Sequence, residues 1–254
     1  MNIVVLLKMV PDLVEELTID ESGTSLERDW LRLIINEFDD HALEQAILLK
    51  EQYGGQVTVF SPDSDGTDDV LFAAAARGAD HVIKLSGDFE EGLNNHALAR
   101  AMDGMVRTVA PDLVLTGVQA HDDLDGSVGP MLAEYLGMPY VGYISAVSVD
   151  NGVCTVQKEY PGGLLAEMEV NLPAVLGVQA AENPPRYVAI SKIRQAMTST
   201  AINENEISEL IPDGGPVIER MFPSESGEKA TMIEGDEEEV AARLIEIFQE
   251  SGLV

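Results

Sequence analysis

The sequence predicts an α/β fold: a Rossmann-like parallel sheet with helices on both faces, an antiparallel extension and a C-terminal extended arm. Three observations predict it. Strand-like apolar runs alternate with helical patterns through the first half of the chain, the order that gives a parallel sheet covered on two sides. The first run, Ile3 to Val10, is apolar except for Lys8, as befits a central strand buried on both faces. After Pro139, strands separated by short turns replace the alternation, which signals antiparallel pairing.

In chain order, Pro11-Asp12 ends the first strand. Leu17 to Ile19 and the stretch after Gly23-Thr24 read as a surface hairpin around Asp20-Glu21-Ser22-Gly23. Asn36 is placed to N-cap a helix whose first turn carries Glu37, Asp39 and Asp40, charges that suit the positive end of the helix dipole. Phe38, Ala42, Ala46 and Leu49 or Ile47 form its apolar stripe, and Gly54-Gly55 stops it. Gln56 to Ser61 is the second strand, followed by a helix from Thr67 through Ala76 that ends at Gly78. His81 to Leu85 is the third strand, Asn94 to Ala110 the third helix, and Leu113 to Thr116 the fourth strand.

A hairpin follows, Val141 to Val149 and Val153 to Tyr160, joined at Asp150-Asn151-Gly152, a strong type I′ signal. Leu164, Ala166, Met168, Val170 and Leu172 alternate with more polar neighbours, as in a half-buried strand. Ala174 to Gln179 reads as another strand of this antiparallel extension, and Ser191 to Met197 as a short helix. Residues 1–197 are expected to form one domain and 198–254 an arm. The arm is loop-like around Asp213-Gly214-Gly215-Pro216 and Pro223 and ends in an amphipathic helix capped by Asp236. Tyrosines and Trp30 are expected to pack in the core or hairpins.

Composition narrows the function. With 254 residues the chain can bury a large core. It has no apolar run of about 18 residues, so no membrane span is expected. Its start lacks a basic region and a small-residue cleavage site, so a cytoplasmic location is expected. The single Cys154 excludes an intramolecular disulfide and an all-cysteine cluster; redox chemistry would have to come from an organic cofactor. The net charge of −30 argues against nucleic-acid binding. It fits a protein kept soluble at high salt and an ordinary acidic cytosolic protein equally.

The most informative stretch runs from Leu115 to Pro139. A strand ends at Gly117. A loop with Asp122, Asp123 and Asp125 follows, then Gly126-Ser127 and a helical pattern from Val128 to Leu136. A helix N-terminus offers free N–H groups to an anion, with Ser127 as N-cap and Gly126 and Gly129 permitting close approach. Such loops also cap helices and bind nothing, and the pattern alone does not choose. The aspartates would repel a phosphate unless they turn away or bond elsewhere. They could instead hold Mg²⁺, but no second carboxylate cluster or Walker lysine accompanies them. In a parallel sheet, ligands sit outside the strands' carboxyl ends, so Val10, Ser61, the 117–127 loop and Asn36 are expected around one crevice. The histidines lack metal-ligand spacing, with His121 read as a solvated loop residue, and no Gly-x-Ser-x-Gly elbow is present. The residues point to a nucleotide site in a carrier or binding module more than to an enzyme.

Several segments together carry a resemblance. They are Val4 to Asp12; Asn36-Glu37-Phe38 followed by Ala42-Leu43-Glu44 and Leu49-Lys50-Glu51; and Arg77-Gly78-Ala79-Asp80. Further on come Gln119-Ala120-His121-Asp122-Asp123 with Val128-Gly129-Pro130 and Ala133-Glu134; Glu159 before Gly162-Gly163; Leu172-Pro173-Ala174-Val175; and Glu182 to Tyr187. In this order and spacing the chain resembles the electron transfer flavoprotein beta subunit family over nearly its whole length.

That resemblance implies an alpha subunit holding most of an FAD, whose ring edge this chain would cover, with Phe38 at the flavin-contacting position. It implies a buried structural AMP: base and ribose near Leu6 and Asn36, and phosphate at Ala120, Asp123, Gly126, Ser127 and Val128, with Gln119 in the same loop. The stretch from Arg186 to Lys192 resembles a recognition loop for acyl-CoA dehydrogenases, anchored at Ile190. Glu159 matches a carboxylate that pairs with the partner's mobile flavin domain, and the 198–254 arm would wrap the alpha subunit. Electrons would pass from dehydrogenases to a quinone oxidoreductase. The chain departs from the family at Gly126-Ser127-Val128, which offers fewer side-chain contacts to phosphate; after Arg194, where a lysine-rich run is missing; and at Leu13, which replaces an aromatic. Val128-Gly129-Pro130 also occurs in flavin-bifurcating, NADH-dependent members that hold a second FAD in place of AMP. A universal-stress-type nucleotide-binding regulator is the rival from another class.

Overall fold

The computed structural model describes residues 1–87, 93–123, 125–207, 214–223 and 230–253. The rest of the predicted 198–254 arm, Asp213 of its expected turn included, lies outside the described residues.

The predicted alternation is present. β1 (Asn2–Leu6), α1 (Glu37–Tyr53), β4 (Gln56–Pro62), α2 (Thr67–Arg77), β5 (His81–Ser86), α3 (Asn95–Val109), β6 (Leu113–Gly117) and α4 (Val128–Leu136) follow one another. β7 (Tyr140–Asp150), β8 (Val153–Tyr160), β9 (Leu164–Asn171) and β10 (Ala174–Val178) come next, and α5 (Ile190–Ser199) and β11 (Asn203–Glu206) close the sheet region. The large sheet runs β11-β5-β4-β1-β6-β10-β7-β8-β9. Strands from β11 through β7 are parallel, and β8 and β9 are antiparallel additions.

Alternation of side chains across each strand builds a core on both faces. Ile3 and Val5 of β1 and Leu113 and Leu115 of β6 join Ala42, Leu43, Ala46 and Ile47 of α1 on one side. Val4, Leu6 and Val114 join Leu98, Met102 and Val106 of α3 and Leu132 of α4 on the other, around the fully buried Phe60. The Asn151-Gly152 turn has positive φ at both residues, 49° and 83°, as a type I′ turn requires.

The structure corrects several expectations. The Ile3–Val10 run is not one strand: the chain bends at Leu7-Lys8, and β2 (Met9–Pro11) pairs antiparallel with β3 (Leu33–Ile35) in a separate two-stranded sheet. The Asp20 hairpin is reduced to a single bridge, Ile19 to Leu26, around its turn. β10 is not antiparallel; it lies between β6 and β7, parallel to both and wholly buried. Asn203–Glu206, predicted as loop, is the edge strand beside β5. β9 is mostly exposed, with Leu164 and Leu165 about two-thirds open, because it is the outermost strand. Trp30 is 92% exposed and Tyr187 86%, not packed in the core; Trp30 stands on the excursion between β2 and β3, outside both core layers.

α6 (Glu237–Glu250) has the expected start: Asp236 accepts the N–H of Glu239, and Glu239 returns a bond to the Asp236 N–H. It buries no residue, and Leu244, Ile245 and Phe248 are exposed. Among the described residues, no helix is long and apolar enough to cross a membrane.

Because Phe60 packs between β1, β5 and the α3 layer, Phe60→Ala should cost about 3–5 kcal/mol. It should lower the urea midpoint with an unchanged slope; a shift under about 1 kcal/mol would contradict this account of the core.

Candidate functional site: a crevice at the switch in strand order

From β1 the chain builds outward to β4 and β5, then crosses back to β6 on the other flank of β1. Two neighbouring strands whose connections leave in opposite directions open a crevice at their carboxyl ends. Leu6 at the end of β1 and Leu7 and Lys8 just beyond it line the crevice, with Asn36 and Asp39 from the start of α1 and Asn95 and Leu98 from α3. Thr116 through Ala120, Asp123, Gly126 and Val128 complete it from β6 and the following loop.

The base of the crevice is tied together by Asp39. Its carboxylate accepts the backbone N–H of Lys8 at 2.9 Å and of Gly117 at 2.7 Å, holding the ends of β1 and β6 to the first turn of α1. Gly117 is required there: a Cβ would run into the Asp39 carboxylate and lie 2.8 Å from the Phe38 Cβ. Burial pushes the Asp39 carboxyl up to about 7, against the pull of Asn36, the two N–H donors and Lys8. Asn36 sits at the N-cap position, but its side chain does not cap; its amide donates to the Gln119 carbonyl at 2.9 Å, joining α1 to the loop.

The three aspartates do not turn away. Lys8 pairs with Asp122 at 2.9 Å and Asp123 at 2.6 Å. Burial would lower the Lys8 pKa, but the two carboxylates outweigh it and raise it. Asn95 donates to both Asp123 and Asp125. Asp125 accepts the Ser127 N–H and hydroxyl, each at 2.9 Å. Ser127 therefore occupies the N-cap position without capping α4. Gly126, at φ +60°, makes the turn; a Cβ there would stand 2.8 Å from the Val118 carbonyl. Among the described residues, no group of three or more His, Cys, Asp or Glu side chains is placed to hold a metal.

Among the described residues, two buried polar atoms in the crevice lack partners, Thr116 Oγ1 and Asn95 Oδ1. Buried polar groups are almost always satisfied, so a hydroxyl and an amide carbonyl left open between apolar walls fit the edge of a polar ligand. The cavity volume is about 30 Å³, far short of the roughly 300–1,000 Å³ of small-molecule sites. Lys8 and Asn95 tie the aspartate loop across it.

A family model described as "Electron transfer flavoprotein domain" matches residues 25–210. The "Electron transfer flavoprotein subunit beta" of Methylophilus methylotrophus is 33% identical over 98% of both chains. The protein of the same name from Clostridium acetobutylicum is 37% identical over 76% of this chain and 74% of its own. "Protein FixA" of Azorhizobium caulinodans is 32% identical over 98% of this chain and 94% of its own.

The chain belongs to the electron transfer flavoprotein beta subunit family. Some of the residues singled out in the sequence of this family member meet at the crevice and others lie away from it. Leu6, Asn36, Gln119, Ala120, Asp123, Gly126 and Val128 line the crevice, and Ser127 stands at its mouth against Asp125. Ser61 is fully buried at the end of β4, where Pro62 rather than Ser61 faces the crevice, and Val10 is carried away from it by the bend at Leu7-Lys8. Phe38 is half-buried in the first turn of α1. Glu159 is exposed on β8. Ile190, 62% exposed, opens α5. Arg186 is held from behind by Glu44, which is almost fully buried, and by Glu51. His121 is not free in solvent; its Nε2 lies 2.8 Å from the Pro11 carbonyl oxygen. Sequence reasoning missed Lys8, Asp39, Asn95 and Thr116. The lone lysine interrupting an apolar run was the available signal for the first.

Because the folded Asp39 carboxyl lies near 7 and an unfolded one near about 3.9, folding takes up a proton between those values. The stability this contributes is present below about pH 4 and is lost as pH rises through 7. The urea midpoint of the unaltered protein should therefore fall more steeply over pH 4–7 than that of Asp39→Asn; equal slopes would show that this carboxylate does not titrate there.

Proposed function

We propose that this chain is the beta subunit of a heterodimeric electron carrier. An alpha subunit would hold an FAD, which supplies the redox chemistry, and this chain would cover the flavin and bury an AMP in the crevice between β1 and β6. Electrons would enter from dehydrogenases, acyl-CoA dehydrogenases among them, and leave to a quinone oxidoreductase. The observation that carries the reading is the pair of unpartnered buried atoms, Thr116 Oγ1 and Asn95 Oδ1, in a crevice at the switch in strand order of a member of this family.

Such a role asks the chain to bind and orient rather than to break bonds. Asn36 would hold ribose or base beside Leu6, and the N–H groups of the first turn of α4, at Val128 and Gly129, would face phosphate. Pro130, the third residue of α4, has no N–H to leave unpaired there. Phe38 would meet the flavin edge. The exposed apolar residues of α6, Leu244, Ile245 and Phe248, suit an arm that wraps the alpha subunit.

Ile190 stands out on α5 with Arg186 braced against Glu44 and Glu51, so the docking stretch leaves the domain from a fixed base. Rigid presentation lowers the cost of docking. Glu159 on β8 would pair with the partner's moving flavin domain.

A second reading rests on Val128-Gly129-Pro130, shared with flavin-bifurcating, NADH-dependent members: the crevice would then hold a second FAD. One FAD per heterodimer is expected for the carrier, and two would establish the alternative.

Co-expression with an alpha subunit should yield a yellow 1:1 complex; a colourless homodimer would overturn the assignment in favour of a nucleotide-binding regulator. In that complex Ile190→Ala should lower kcat/KM for electron acceptance roughly tenfold, as loss of an exposed apolar anchor does, with flavin content intact. Unchanged kinetics with every dehydrogenase that reduces the unaltered complex would remove the docking role.

A further inference from the structure

The position where a ligand's phosphate would meet α4 is already taken by an anion. Asp125 accepts both the N–H and the hydroxyl of Ser127 at 2.9 Å, and the Asn95 amide holds the same oxygen. The turn that returns Asp125 to the helix is fixed by Gly126, whose positive φ and closeness to the Val118 carbonyl exclude a side chain. Burial would raise the Asp125 carboxyl, but the bonds from Ser127 and Asn95 outweigh it and hold it below the usual carboxylate value, so it is ionised at neutral pH. Asp122 and Asp123 stand beside it with Lys8 between them, and three carboxylates against one lysine leave the mouth negative. Deeper in, the groups without a partner among the described residues are uncharged: Thr116 Oγ1 and Asn95 Oδ1, on residues only 2% and 4% exposed.

We propose that Asp125 is a built-in competitor for the ligand's phosphate, so that the phosphate reaches the start of α4 only by displacing the Asp125 carboxylate from Ser127. The inference rests on the nucleotide reading above and deepens it, naming the residue that sets selectivity between a nucleoside and its phosphate.

The test is calorimetric titration of the full chain, refolded free of nucleotide, with adenosine and with AMP. The unaltered protein should bind AMP no more than a few-fold tighter than adenosine. Asp125→Asn keeps an acceptor for Ser127 and removes the charge, so it should tighten AMP on the order of fivefold and change adenosine by less than about twofold. Weaker AMP binding in Asp125→Asn, or equal gains for both ligands, would overturn the proposal. If the variant fails to fold, ionic strength gives the same answer on the unaltered protein. Salt screens the repulsive mouth, so the preference for AMP over adenosine should rise with salt; a fall would overturn the proposal. Binding of neither compound to either protein would instead overturn the nucleotide reading, and this inference with it.

Discussion

Asp39 spends the solvation of a buried carboxylate to hold three pieces of chain at one point. Its two oxygens take the N–H groups of Lys8 and Gly117, which end β1 and β6, while its own backbone belongs to α1. Without those donors, burying the charge would cost several kcal/mol; with them, the two strands are fixed in the one place where the strand order leaves a gap. Everything at the crevice follows from this fixed base. The bend that breaks the first apolar run begins at Lys8, the loop leaves β6 at Gly117, and Asn36 crosses from α1 to the Gln119 carbonyl. The absence of a side chain at Gly117 is part of the same device, since the carboxylate fills that space.

The charge of the whole molecule and the charge of the site pull in the same direction. A chain of net charge −30 has few cations to spare, and one of them, Lys8, is spent on neutralising its own loop. The phosphate site proposed above would rest on helix N–H groups and amides rather than on lysine or arginine. The exposed apolar residues on α6 and at Ile190 offer contacts whose strength does not depend on charge.

Elements that depend on near neighbours were legible from their residues. The Asn151-Gly152 turn, the Gly54 and Gly78 helix stops, the Asp236 cap and the spans of α2, α3 and α4 could be read because each depends on residues within one or two turns. The insertion of β10 between β6 and β7 could not, because a buried five-residue apolar run looks the same whether its neighbours are parallel or antiparallel, and only distant pairing decides. β11 was hidden for the related reason that Asn203-Glu204-Asn205-Glu206 has no apolar signal; its place comes from β5, which offers it an edge. At the site, the focal loop was legible from its glycines and aspartates. Its partners were not: Lys8 lies more than a hundred residues from Asp122 and Asp123, and Asn95 and Thr116 are ordinary residues until the fold leaves their oxygens unpaired. Asn36 misled for a simple reason, since a good capping side chain was drawn to a carbonyl across the crevice instead.

The central claim is that the gap between β1 and β6 is made to bury an adenine nucleotide. The most direct measurement is to denature the purified protein, separate what is released and quantify it against chain concentration. About one adenine compound per chain is the expected result. Release of none, together with no uptake by the native protein soaked in AMP or FAD, would contradict the account.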